Sequence, residues 1–270
     1  MHMPIRDDAL FWRLAAILMG VGFLLLALFI AWPDLDLLAA AQFHDGYRFP
    51  AGEGWLARWL RKFYHLAFGA ACAVVIFGLI GVLLRTPERR TPARAWVFVA
   101  LLFALGPGVL VNTVLKDNWG RARPASIAEF GGDRSFTLPF QIADQCDRNC
   151  SFVSGEGSAA AAVAGAGIAL FWPLLRGLAG RAVAVATLGL WFAGAAYIRM
   201  APGRHFLSDT LFAFVLVALV ALALYAAMDL GRVRREVTPA GMARDLKLVA
   251  LDAARRMSAL IREIRAPINR

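Results

Sequence analysis

The residue types best suited to binding a phosphate fall in three short polar segments, each beside a long apolar run. The first segment contains Lys116 and Arg123, and the third contains Arg199. Arginine contacts phosphate oxygens through two parallel N–H groups, and lysine adds a compact positive charge. The second segment, Ser154-Gly155, adds a hydroxyl and backbone N–H groups at a helix start, where the dipole favours an anion. Together these segments predict a phosphate-binding site.

A histidine–aspartate pair in the third segment predicts the chemistry. Asp209 follows His205 by four residues, one helical turn, so its carboxylate can fix the tautomer of the ring. The other ring nitrogen can then attack phosphorus. Because the three cations can stabilise the transition state, we expect neither Mg²⁺ nor another cofactor. Taken alone, such a pair could be structural and the cations could be headgroup anchors, but their combination in one order favours catalysis.

The composition places these segments in a membrane protein. The chain is 60% hydrophobic with a mean hydropathy of +0.60, and its charged residues lie between the apolar runs. We predict an all-α polytopic fold in which residues 1–230 form a bundle of six transmembrane helices. Spans four and five are rich in alanine and glycine, which predicts positions in the middle of the bundle. The six predicted spans are Leu14–Trp32, His65–Leu84, Ala95–Leu115, Gly157–Leu175, Arg181–Ile198 and Phe206–Met228.

Arginine in the short loops predicts the orientation. Arginines follow spans two, four and six, and the positive-inside rule makes that side cytoplasmic together with both termini. All three polar segments then lie at outer helix ends, so the active site would face the periplasm from the inner membrane. The outer Arg58, Arg61 and Lys62 run against this assignment. The net charge of +10 is thus explained by topology, and we expect no nucleic-acid partner.

Two amphipathic stretches lie outside the predicted spans. Trp55, Trp59 and Phe63 recur at helical spacing and predict a helix in the outer interface. The tail, residues 231–270, carries an apolar face that includes Val249 and a basic face that includes Arg256. This tail is predicted to rest on anionic lipid, to pack against the bundle, or to pair with a second copy in a homo-oligomer.

The motifs Lys116-x6-Arg123-Pro124, Ser154-Gly155 and Arg199-x5-His205-x3-Asp209 resemble those of the type 2 phosphatidic acid phosphatase (PAP2) superfamily. The six spans, with the motifs at the outer ends of spans three to six, agree with that resemblance. It implies a metal-independent lipid phosphatase with His205 as the nucleophile that forms a phosphohistidine and Asp209 as its orienter. The remaining motif residues would bind phosphate: Lys116, Arg123, Ser154, Gly155 and Arg199. The segment from Phe130 to Val153 resembles the lipid A phosphatase-like branch.

The chain departs from the family pattern in two places. Glu156 occupies the position where the family usually has the histidine that protonates the leaving group, and Ile198 replaces a common serine before Arg199. A carboxylic acid can donate that proton only if its pKa is raised, whereas neighbouring cations lower it. Glu156 could instead simply complement the helix dipole. In the loop before it, Cys146 and Cys150 are predicted to form a disulfide or to remain free thiols.

Three functions remain after this comparison of residues. The first is a lipid phosphatase that acts on the membrane-bound phosphate of lipid A, undecaprenyl diphosphate, phosphatidylglycerol phosphate or phosphatidic acid. The second is a catalytically altered relative that binds a lipid phosphate or transfers it. A transporter is disfavoured because the polar residues lie at helix ends and not at the midplane.

Overall fold

The chain folds into a helical bundle in which six of the described helices are long and apolar enough to cross a membrane. The computed structural model describes residues 5–265, with side chains for residues 11–262. Within residues 5–265 there is no strand beyond an isolated bridge between Ile127 and Arg134, so the all-α prediction is confirmed. The six long helices and the short α2 are α1 Ile5–Ala31, α2 Leu35–Ala41, α3 Trp55–Leu83, α4 Ala93–Asn118, α5 Gly155–Phe171, α6 Gly177–Met200 and α7 Leu207–Ala227.

The second span is longer than the sequence predicts. The stretch that contains Trp55 and Trp59 does not form a separate helix in the interface, because α3 runs without a break from Trp55 to Leu83. That part of the prediction is wrong. No proline or glycine pair interrupts the chain where the amphipathic stretch meets the apolar run, so the helix continues. The consequence is that Arg61 and His65 stand on the first turns of a rigid membrane helix.

Small residues place only one of the two alanine-rich helices in the centre of the bundle. In α5, 44% of the residues in the apolar segment are buried. This helix packs against α7 along alanines such as Ala161 and Ala162. In the apolar segment of α6 only 6% is buried, so its predicted central position is wrong. Alanine and glycine permit close helix packing but do not require it, since the same residues also fit a lipid-facing surface.

The third span changes its helical geometry before it reaches the polar segment. From Ala104 to Leu115 α4 is π-helical, and Pro107 lies inside this stretch. Proline has no N–H to donate and its ring crowds the preceding turn, which disfavours regular α-helical bonding there. The side chain of Asn112 donates to the carbonyl of Pro107 at 2.7 Å. The widened turns end at Lys116, the first residue of the phosphate-binding motif.

The predicted tail packs against the bundle, at the end remote from the polar segments. It consists of α8 Leu230–Val233 and α9 Pro239–Arg265, and its last five residues lie outside the described part of the chain. Asp245 accepts hydrogen bonds from the backbone N–H groups of Arg90 at 3.0 Å and Thr91 at 2.7 Å. Val249 is buried against Gly81. The first half of α9 is therefore anchored to the loop between α3 and α4. Of the alternatives that the sequence left open, the structure shows the tail packed against the bundle.

Candidate active site

The three predicted phosphate-binding cations lie around one cavity. The cavity has a volume of about 510 Å³ and opens at the end of the bundle formed by the starts of α3 and α5 and the ends of α4 and α6. Among the described residues its wall carries five lysine or arginine side chains and one carboxylate, so an anion entering it would be attracted strongly. These six charged residues are Arg61, Lys116, Arg123, Arg199, Arg204 and Glu156.

Asn149 holds two of the cations in place. Lys116 Nζ donates to Asn149 Oδ1 at 2.8 Å, and an Arg123 guanidinium nitrogen donates to the Asn149 carbonyl at 2.7 Å. Partial burial, followed by the neighbouring charge of Arg204, lowers the pKa of Arg123. Crowding of positive groups that depresses a pKa is relieved when an anion binds. The arrangement is therefore suited to a phosphate.

Gly155 allows the lysine to approach the helix start, whereas Ser154 serves the helix itself. A Cβ atom on Gly155 would lie 2.9 Å from Asn112 Oδ1 and 3.4 Å from Lys116 Nζ. Ser154 is fully buried, and its Oγ accepts from Gly157 N at 3.1 Å as the N-cap of α5. The structure thus places Gly155 on the cavity wall and gives Ser154 a capping contact away from it.

His205 is held in a single tautomer by a backbone carbonyl. Its Nδ1 lies 2.7 Å from the carbonyl oxygen of Ser151, and because a carbonyl can only accept, Nδ1 carries the hydrogen. The buried Nε2 has no hydrogen-bond partner among the described residues, so its lone pair is free. Burial lowers the pKa of His205 to about 4, which keeps the ring neutral at pH 7. His205 is fully buried and is not itself part of the cavity wall.

Asp209 supports His205 through its neighbours more than by direct contact. Its Oδ2 is 3.6 Å from His205 Nδ1, within ion-pair range but beyond a hydrogen bond. The same oxygen accepts from Ser151 Oγ at 2.5 Å and from Phe206 N at 2.8 Å. Ser151 therefore bonds to both members of the pair, through its carbonyl to the histidine and through its hydroxyl to the aspartate.

Arg121 connects Asp209 to the first part of the chain. Its guanidinium donates to Asp209 Oδ1 at 2.6 Å and to Asp36 Oδ2 at 2.8 Å, and all three side chains are completely buried. It also donates to Ser208 Oγ and lies 4.3 Å from the centre of the Phe206 ring. Burial raises the pKa of Asp36, and the arginine opposes that shift. Two buried carboxylates need hydrogen-bond donors and opposite charge to offset their lost hydration, and Arg121 supplies both groups with them.

A disulfide closes the loop that supplies these contacts. Cys146 and Cys150 are bonded, with their Cα atoms 5.6 Å apart, so the predicted disulfide is present in the structure. Cys150 N donates to the Lys116 carbonyl at 3.0 Å and Ser151 N to the Arg121 carbonyl at 2.9 Å. These two bonds join the loop from Cys146 to Ser151 to the first motif, and the contacts of Ser151 with His205 and Asp209 join it to the third.

Glu156 is surrounded by basic side chains from two helices, α3 and α6. Its Oε1 accepts from Arg199 at 2.6 Å and from Arg61 at 3.1 Å, and His65 Nε2 lies 3.4 Å from the same atom. Its Oε2 is buried and has no hydrogen-bond partner among the described residues. The carboxylate therefore bridges α3 and α6 at the cavity wall.

Several residues of the site were not identified as functional from the sequence. Arg121 lies between Lys116 and Arg123 in the sequence, a position that could have marked it as a site residue. The others lie in segments whose spacing to the motifs carries no information, because only the fold brings them near. They are Asp36, Arg61, His65, Asn149 and Ser151.

The fold and the site together define a class of protein: an integral membrane protein with a cationic cavity at one end of its bundle. Comparison with known proteins then assigns the family. The PAP2 superfamily pattern matches residues 97–231. A lipid A 4'-phosphatase of Francisella tularensis subsp. novicida (strain U112) is 35% identical over 205 residues, which cover 74% of this chain and 89% of that protein.

Two further relatives agree with this family. A lipid A 4'-phosphatase of Rhizobium leguminosarum is 36% identical over 45% of this chain and 50% of its own length. Another from Rhizobium etli is 48% identical over 21% of this chain and 22% of its own length. No solved structure matches. The chain belongs to the PAP2 superfamily and is a multi-pass membrane protein and a phosphatase, a phosphoric monoester hydrolase.

Proposed function

We propose that this protein removes a phosphate from a lipid A-type glycolipid at the periplasmic face of the inner membrane, through a phosphohistidine intermediate. The observation that carries the proposal is the convergence of Lys116, Arg123 and Arg199 on one cavity beside the buried His205. The names of the relatives direct it to lipid A among the lipid phosphates that the motifs allow. The orientation rests on the arginine-rich loops at the opposite end of the bundle.

In the first step of the proposed reaction, Nε2 of His205 attacks phosphorus. The Ser151 carbonyl keeps the hydrogen on Nδ1, so the lone pair is on Nε2. Lys116, Arg123 and Arg199 neutralise the charge that develops on the phosphate oxygens, with Gly155 leaving room for the lysine. Because Nε2 is buried in this structure, attack requires a rearrangement that gives the phosphate access to it.

In the second step water hydrolyses the phosphohistidine, and the imidazole leaves. As the positive charge on the ring rises and falls, Asp209 stabilises it from 3.6 Å and remains a carboxylate because Arg121 is bonded to it. Glu156, at the motif position of the expected proton donor, stands on the cavity wall beside Arg199. We therefore include it in the proposed site, on the side of the leaving group.

The test is phosphate release by the purified full-length protein in detergent. Lipid A, undecaprenyl diphosphate, phosphatidylglycerol phosphate and phosphatidic acid are offered separately, with and without EDTA. We expect the fastest release from lipid A and no effect of EDTA. Release that is fastest from another lipid would correct the substrate, and binding of every lipid without release from any would support the altered, non-hydrolytic relative instead.

A further inference from the structure

Cleavage of a phosphate monoester requires a proton for the alcohol that leaves. An alkoxide is a poor leaving group, so a general acid on the cavity wall must protonate its oxygen as the P–O bond breaks. Apart from arginine, which does not release its proton, four titratable side chains line the cavity among the residues whose side chains the structure describes: Tyr64, His65, Lys116 and Glu156.

Two of these four are already committed to fixed contacts. The hydroxyl of Tyr64 donates to the Trp191 carbonyl at 2.5 Å, which removes its proton from the cavity. Lys116 Nζ is held by Asn149 at 2.8 Å and belongs to the cluster that binds the phosphate oxygens. Neither group is free to follow the leaving oxygen.

Glu156 is placed to accept hydrogen bonds and not to donate a proton. Its Oε1 is the meeting point of Arg199 at 2.6 Å, Arg61 at 3.1 Å and His65 at 3.4 Å. Each of these neighbours offers N–H donors, and contacts with donors favour the ionised carboxylate. The family position of the proton donor is therefore occupied by a carboxylate that accepts hydrogen bonds from basic side chains.

His65 is the remaining candidate for the proton donor, and its location on the cavity wall suits that role. Its side chain is 56% exposed and lies on the cavity wall, so it can exchange its proton with solvent. Because its Nε2 and an Arg199 nitrogen contact the same Glu156 oxygen, the two nitrogens are no more than about 6 Å apart. A phosphate bound by Arg199 thus brings its ester oxygen into the neighbourhood of the imidazole.

We propose that His65 is the catalytic residue that protonates the leaving alcohol, and that Glu156 is the positioning residue that holds its ring. The inference rests on the proposed phosphatase reaction. In the first step the His205 lone pair forms the P–N bond, the P–O bond breaks, and the imidazolium of His65 gives its proton to the leaving oxygen. In the second step neutral His65 takes a proton from the water that attacks phosphorus, the P–N bond breaks, and both histidines return to their starting states.

Charged groups from three helices surround His65. Glu156 faces it from α5, Arg61 lies on its own helix, and Arg199 lies on α6. Lys116 and the two loop arginines of the cavity, Arg123 and Arg204, add further positive charge. Because the first step uses a proton from the ring, we expect turnover of a monoester to fall toward high pH.

The experiment compares two leaving groups on the full-length protein in detergent. A lipid monophosphate releases an alcohol, which needs a proton, and the corresponding lipid diphosphate releases a lipid monophosphate, which needs one far less. For His65→Gln we expect kcat on the monophosphate to fall about 10²-fold and kcat on the diphosphate less than about tenfold. The basic limb of the pH profile for the monophosphate should disappear, and added imidazole should restore part of the activity of His65→Ala.

Arg61→Gln is the matched control, since Arg61 contacts the same Glu156 oxygen but releases no proton. It should change both substrates by a similar factor and keep the basic limb. Equal losses on both substrates for His65→Gln, or an unchanged basic limb, would overturn the assignment of His65. If His65→Gln is unstable, His65→Asn and the imidazole rescue give the same comparison. Wild-type protein that hydrolyses neither lipid would overturn the proposed function and this inference with it, whereas an active wild type with unselective variants overturns this inference alone.

Discussion

Arg121 donates a 2.6 Å hydrogen bond to Asp209, and both side chains are completely inaccessible to solvent. Through a second nitrogen the same guanidinium binds Asp36, so one cation serves two buried carboxylates. This cluster joins the segment after α1, the first motif and the start of α7. It gives the carboxylate behind His205 a fixed position and a fixed charge.

Removing Arg121 should destabilise the protein more than removing any exposed charge. In Arg121→Met two carboxylates lose their common partner in a dry site, which typically costs about 3–5 kcal/mol and here corresponds to a fall in Tm of roughly 10 °C. Arg121→Lys should recover little, because one ammonium cannot reproduce the fork that reaches both carboxylates. Thermal unfolding in detergent measures the effect.

The matched control for that experiment is Arg134→Met, whose side chain is about half exposed and lies 3.7 Å from Asp133. It should shift Tm by no more than about 2 °C, because exposed ion pairs contribute little. Equal shifts for Arg121→Met and Arg134→Met would show that the buried cluster does not stabilise the fold.

Replacing His205 should abolish turnover and leave the fold in place. The loss of a nucleophile commonly lowers kcat by several orders of magnitude, so His205→Ala should retain less than about one part in a thousand of the activity. Acid quenching during turnover of the wild type should trap a phosphorylated protein, and the variant should show none. Activity above about a tenth of the wild type would rule out the nucleophilic role.

The burial of His205 predicts a pH dependence of stability. An unfolded histidine titrates near pH 6.5, whereas burial lowers the pKa of His205 to about 4 in the folded protein. The unfolded state therefore binds the proton more readily, so the contribution of His205 to stability is complete above about pH 6.5 and is lost as the pH falls toward about 4.

The check is Tm between pH 7 and pH 5 for the wild type and for His205→Asn. The wild type should lose more stability over this interval than the variant. The raised pKa of Asp36 acts in the opposite direction, but it is present in both proteins and does not determine the difference. If Tm falls equally with pH in both proteins, burial of His205 does not lower its pKa in the folded state.

Glu156 should compete with phosphate for Arg199. The carboxylate lies 2.6 Å from the guanidinium, so an incoming anion must share or replace that contact. In Glu156→Gln the competing charge is absent, and inorganic phosphate or vanadate should inhibit with a Ki lowered by about tenfold, a typical effect of removing a nearby like charge. The exposed Asp133→Asn is the control. An unchanged or raised Ki for Glu156→Gln would place Glu156 outside the reach of the bound anion.

The disulfide should be protected in intact cells and should affect activity more than stability. If the site faces an oxidising compartment, Cys146 and Cys150 should react with a thiol reagent only after reduction. Cys146→Ser with Cys150→Ser should change Tm by only a few degrees, because so short a loop loses little entropy on closure. Phosphate release should fall, since the loop carries Asn149 and Ser151. Both thiols reacting freely in unreduced cells would contradict the periplasmic orientation.

The sequence by itself determined the spans and the polar segments at their ends. A run of about twenty apolar residues has to cross the bilayer as a helix, because its backbone must bond internally there. The distance from Arg199 to His205 and Asp209 is likewise a local property, since it follows from the helical repeat and the short turn before α7. Such features need no knowledge of the rest of the chain.

Only the tertiary structure decided which distant groups complete the site. Arg61 and Glu156 are separated by 95 residues, and Asp36 and Ser208 by 172, so no local spacing could pair them. Their contacts depend on how α3 continues without a break and on how α2 sits against the start of α7. The tertiary structure also decided the role of Arg121, because in the dry interior this arginine is the hydrogen-bond donor that Asp36 and Asp209 share.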